Sequence, residues 1–133
     1  MQTSNTVAAA QLDAAETAIG TSPILELRTG SAPANCAAAS TGTLIASMTL
    51  PSNWMANASG RTKALAGTWQ DPSANAAGTI AHYRIFDSGG TTCHVQGPVS
   101  EAGGGGELII DNADVEAGQT ITIVAYTWTA GNA

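Results

Sequence analysis

Three of the four imidazole and thiol side chains in this chain fall close together, at His82, Cys93 and His94; the fourth is Cys36. Such groups ligate zinc or act as nucleophile and base, so their spacing decides whether chemistry is on offer. The surrounding residues read as strand, where neighbours point to opposite faces, so Cys93 and His94 do not chelate one ion together. A shared face across a hairpin is open to His82 and His94, but two ligands without a third make a poor site. A nucleophilic triad needs an orienting acid beside the base, and no GxSxG elbow occurs. The glycines at 103–106 lack the Lys-Ser or Lys-Thr of a phosphate cradle and lead into a strand-like run, so they read as a flexible hairpin loop. Asp111, Asp114 and Glu116 lack the spacing and central glycine of a calcium loop and read as a turn. The expectation is a protein with no catalytic residues, no metal and no cofactor, not an enzyme.

The elements around these residues are short. Residues 78–87, the turn Ser88-Gly89-Gly90 and residues 91–100 predict a β-hairpin. Residues 119–129, dense in β-branched and aromatic side chains, are the strongest strand signal. Further strands are predicted at 23–29, 43–50, 61–69 and 108–111, with 70–77 as a connection and 30–42 as an exposed loop. One helix is predicted over 5–19, with Ala8, Leu12, Ala15 and Ile19 as its apolar stripe, Ser4 or Asn5 as its cap and Gly20 at its end. A stripe this narrow leaves an isolated helix marginal, so it must dock on its own sheet or on a neighbouring subunit. One helix followed by seven or eight short strands, without βα alternation, predicts a mainly β fold: an antiparallel β-sandwich or jelly roll.

On the last strand, alternation puts Ile121, Ile123 and Ala125 on one face and Val124, Tyr126 and Trp128 on the other. Both faces then carry apolar bulk, and whichever lies outside needs a cover, from the helix or a second subunit. Trp54, Tyr126 and Trp128 are the candidate interface anchors, with Val7, Leu12 and Ile19 as the candidate helix face.

Composition narrows the partners. The 133 residues suit one domain, 1–133. Charged residues are 11% of the chain, against about 25% in ordinary soluble domains. A surface of Thr, Ser and Ala is cheap to desolvate and suits contact with another protein. Net charge is −6, and the four bases Arg28, Arg61, Lys63 and Arg84 form no evident patch, so neither nucleic acid nor a DNA-facing location is expected. No apolar run reaches the ~18 residues of a membrane span, and no secretory signal is evident, so the expected thiol state is free.

Taken together, the Ala-rich helix, LELRTGSAPA, GTLIASMTLP, the hairpin AAGTIAHYRIFDSGGTTCHVQGPV and the ending ELIIDNADVEAGQTITIVAYTWTAGN resemble small virion proteins of tailed bacteriophages. The resemblance covers nearly the whole chain and is most specific at residues 84–91 and at the last strand with its flanks. It implies a jelly-roll capsid decoration or cement protein, made in the bacterial host cytoplasm and placed on the head exterior. Its implied partner is the major capsid protein or another virion protein, with a homo-oligomer, dimer or trimer, as the working form. A neck or tail component, or a secreted glycan-binding or adhesion module, are the alternatives.

Overall fold

The helix α1 (Asn5–Ile19) begins where Ser4 accepts a hydrogen bond from the Val7 N–H at 3.2 Å. It ends at Gly20, whose φ of 97° suits a residue without Cβ and whose N–H donates to the Glu16 carbonyl at 3.0 Å. The computed structural model describes residues 1–131. Among these residues ten strands follow the helix: β1 (Ile24–Arg28), β2 (Leu44–Thr49), β3 (Thr62–Ala64), β4 (Gln70–Asp71), β5 (Gly78–Thr79), β6 (His82–Phe86), β7 (Cys93–Ser100), β8 (Leu108–Ile110), β9 (Asp114–Val115) and β10 (Ile121–Thr129).

Eight of these form one curled mixed sheet in the order β2-β1-β6-β7-β8-β10-β3, with β4 also paired to β10, while β5 and β9 form a separate ribbon. The mainly β, sandwich-like architecture with one N-terminal helix is the predicted class. The curl is fastened where the two ends of the sheet approach. Asp71 Oδ2 accepts from the Ser47 N–H at 3.2 Å, and the Asn75 N–H donates to the Ile45 carbonyl at 2.7 Å, tying the β4 region to β2.

Four local readings change. The run 61–69 is not one strand: β3 stops at Ala64, and the chain turns through Gly67 at φ 74° before β4 forms inside the expected connection. That turn lets Trp69 enter the core with its indole N–H on the Ala66 carbonyl at 3.1 Å. The first arm of the hairpin divides at Ile80 and Ala81, and its leading piece, β5, pairs with β9 instead of β7. The hairpin turn itself forms, with Asp87 Oδ1 accepting from the Thr91 N–H at 2.9 Å. Finally, the glycine-rich loop is no hairpin, because it folds back to lay β8 parallel to β7, with Val99 opposite Leu108.

The sheet curls around Leu25, Leu27, Ile45, Ile85, Leu108, Ile110 and Ile121, all inaccessible or nearly so. A run of aromatic rings crosses this core. Trp54 and Trp69 centroids lie 5.9 Å apart, Trp69 and Tyr126 5.6 Å, and Tyr126 and Tyr83 5.3 Å, in the tilted and edge-on geometries that aromatic quadrupoles favour.

Candidate docking face and polar cleft

A bulge in β10 decides which residues reach the surface. The register against β8 shifts between Ile123 and Ala125, so alternation breaks and two successive residues, Val124 and Ala125, face outward. Ile121, Ile123 and Tyr126 therefore all turn inward, with Trp128 half-buried behind them. The expectation of apolar bulk on both faces is corrected: the inner face takes the large rings and the outer face keeps Val124, 58% exposed, among threonines.

Each predicted interface residue can be placed. Trp54 is fully buried and its indole N–H donates to the Gly20 carbonyl at 2.9 Å, which holds the end of α1. Tyr126 is buried, and so is Ile19. Trp54, Tyr126 and Ile19 are thus core residues, not surface anchors. Trp128 exposes only part of its ring and donates to the Tyr126 hydroxyl at 2.7 Å. Leu12 is half-buried and Val7 is 46% exposed, and of the six only Val7 stands well out of the surface.

The helix docks on its own sheet, and an ion cluster fixes it there. Lys63 on β3 is 1% exposed, with Nζ 2.5 Å from Asp13 Oδ1 and 2.7 Å from Glu16 Oε1. Burial is the largest effect on Lys63 and works to lower its pKa, but the two carboxylates outweigh it and hold the ammonium above its usual value. Asp13 is held below the usual carboxylate value by Lys63 first and by the Ala58 N–H second. Ala15, expected on the packing stripe, is exposed, whereas Glu16 turns toward the sheet.

Outside the core, β10 and its neighbours present an uncharged face. Cross-strand partners point the same way, so Thr127 lies beside Ala64, Thr129 beside Thr62 and Thr122 beside Gln70, whose amide donates to the Thr122 hydroxyl at 3.0 Å. All but the half-buried Thr122 are exposed, and Val124 is the large apolar side chain among them. Charge enters at the ends of this face, with Arg61 bonded to the Ala130 carbonyl and Asp111 accepting from the Thr122 N–H.

Polar groups converge at a cleft of about 260 Å³ lined by Tyr83, Gln96, Glu107, Tyr126, Trp128 and Thr129. The Tyr83 and Tyr126 hydroxyls are 2.8 Å apart, and Tyr83 donates to Glu107 Oε1 at 3.2 Å. Burial, the leading cause, raises both phenols, Tyr126 to about 12, so both remain neutral hydrogen-bonding groups at ordinary pH. The cleft can hold a small polar molecule by hydrogen bonds, and it brings together one carboxylate and no thiol or imidazole. Among the described residues no group of three or more metal-ligating side chains comes together.

The histidines separate. His82 is buried opposite Pro98, with Nδ1 2.7 Å from the Gly30 carbonyl, which requires the proton on Nδ1, while His94 is exposed farther along β7. Asp111 serves the expected turn, accepting from the Asn112 N–H, whereas Asp114 lies in β9 and accepts from the hydroxyl of its cross-strand partner Thr79 on β5. Two residues with structural roles were not singled out by sequence reasoning, Lys63 and Arg84, since both read as scattered surface bases. No protein-family model, curated protein or solved structure matches the chain.

Proposed function

We propose that this chain is a structural protein of a bacteriophage virion, of the decoration or cement type, that binds the outer surface of the major capsid protein lattice and stabilises the head. The observation that carries the reading is the uncharged outer face of β3, β4 and β10. It costs little to desolvate, has one apolar projection at Val124 and meets charge at its ends, the anatomy of a protein-binding patch. The resemblance of the sequence to small virion proteins of tailed phages supplies the partner. The helix is committed to its own sheet through Lys63, so the docking residues of this reading are Val124, Thr127 and Thr129 rather than the buried Trp54, Tyr126 and Ile19.

A cement protein need only bind the assembled lattice more tightly than it binds free subunits; mass action then stabilises the shell. Repetition around symmetry axes, and a dimeric or trimeric working form, multiply a modest contact through avidity. The test is occupancy: quantified in purified particles, the chain should approach the abundance of the major capsid protein and should rebind to stripped heads. A few rings' worth of copies would instead place it in the neck or tail, the second location the same fold serves. A glycan-binding role would draw on the polar cleft, where Trp128, the partly exposed ring, packs edge-on against Trp54 and Tyr126.

A further inference from the structure

The loop 30–42 lies across the face of β6 and β7 that carries Arg84, Phe86, Cys93 and Gln96. Arg84 and Gln96 are cross-strand partners, as are Phe86 and Cys93, and directly opposed residues share a face. The loop is held down from below. Arg84, 1% exposed, donates to the Cys36 carbonyl at 2.9 Å, the Ala38 carbonyl at 3.0 Å and the Ser40 hydroxyl at 2.6 Å, while the Gln96 amide donates to the Pro33 carbonyl at 2.7 Å. Cys36 in the loop and Cys93 on β7 consequently line one cleft of about 300 Å³ together with Arg84 and Phe86. Both thiols are free and half-buried.

We propose that Cys36 and Cys93 form a reversible oxidation site, closed to an intramolecular disulfide by exchange with a low-molecular-weight disulfide, which staples the loop 30–42 to the sheet. The step balances without any further reagent. The Cys36 thiolate attacks oxidised glutathione, forming a mixed disulfide and releasing one glutathione thiolate. Cys93 then gives up its proton to solvent and attacks the Cys36 sulfur, forming the protein disulfide and releasing the second glutathione; two thiols are oxidised and one disulfide is reduced. The order follows from the surroundings. Burial, the dominant cause, raises Cys93 to about 11, with Cys36 adding to the rise and the Arg84 guanidinium opposing it. Cys93 is thus almost wholly protonated at ordinary pH and acts second, in the cleft it shares with Cys36, where proximity compensates for its low thiolate fraction.

The experiment uses the whole chain, purified reduced and then incubated with oxidised glutathione at mildly alkaline pH. The expected product is a monomer lighter by two hydrogens, with Cys36 and Cys93 joined in one peptide pair, no thiol reactive toward Ellman's reagent, and a melting temperature several degrees higher, reversed by dithiothreitol. Cys93→Ser should stop at a stable glutathione adduct on Cys36. Stable glutathione adducts on both cysteines of the unsubstituted protein, an intermolecular dimer as the sole disulfide product, or two thiols unchanged after prolonged exposure would each overturn the proposal. Since these readouts come from the unsubstituted protein, a variant that fails to fold does not blur the result.

Discussion

Gly42 shows how much one atom can matter in this fold. Its φ is 71°, and a Cβ there would run into the Thr29 carbonyl, which the paired strands hold in place through the Thr29 N–H on the Thr43 carbonyl at 3.1 Å. Gly42→Ala therefore meets both a left-handed backbone and a rigid neighbour. It should cost about 1–3 kcal/mol, read as a lower denaturation midpoint with unchanged slope. Trp54→Ala is the harsher test, because it empties a fully buried site and frees the Gly20 carbonyl at the helix end. A loss of about 3–5 kcal/mol is expected, and a loss below ~1 kcal/mol would show that Trp54 is a surface anchor after all. Residue identity in the sequence was a fair guide to what is apolar and a poor guide to where charge goes. Arg84 sits on a strand buried on both faces and Lys63 on one of ordinary alternation, and nothing in their spacing reveals that a loop's carbonyls or a helix's carboxylates close over them.

At the scale of elements, the attachment of α1 is set by the Lys63 cluster, and its pH dependence follows from the signs of the shifts. Asp13 is depressed below 3.8, so its contribution is complete above that value and fades as pH falls through the lower, folded one. Lys63 is raised above 10.5, so its contribution is complete below 10.5 and fades as pH rises through the higher, folded value. Helix docking should accordingly be flat from about pH 5 to 9 and weaken at both extremes. Lys63→Met should flatten both limbs and cost about 1–3 kcal/mol, because the carboxylates left behind reach water and are not stranded. Amide exchange along α1 would report the loosening directly, and unchanged protection in the variant would contradict the assignment. The sequence made the helix, its bounds and its caps legible, since capping and composition act locally. It did not reveal the β10 bulge, the split of the first hairpin arm or the parallel pairing of β8, which depend on partners distant in the chain.

At the scale of the whole molecule, the bulge determines what the protein offers a partner. Without it Tyr126 and Trp128 would alternate outward with Val124, and an aromatic patch would need covering; with it the rings complete the core, and the outside of β10 is threonine, alanine and one valine. Binding through such a face relies on shape and on desolvation of small side chains, and little on ion pairs. Attachment to particles should therefore survive a rise in ionic strength that would disrupt a charge-steered contact. Val124→Glu places a carboxylate in the middle of the face, at a position exposed enough that stability should change by no more than ~0.5 kcal/mol. The buried charge would cost several kcal/mol in the complex if the face is occluded there, so particle occupancy should collapse while the melting temperature holds. Gln11→Glu on the exposed side of α1 is the matching control and should bind normally. Full occupancy by Val124→Glu, with Thr127→Glu equally harmless, would remove this face from the interface.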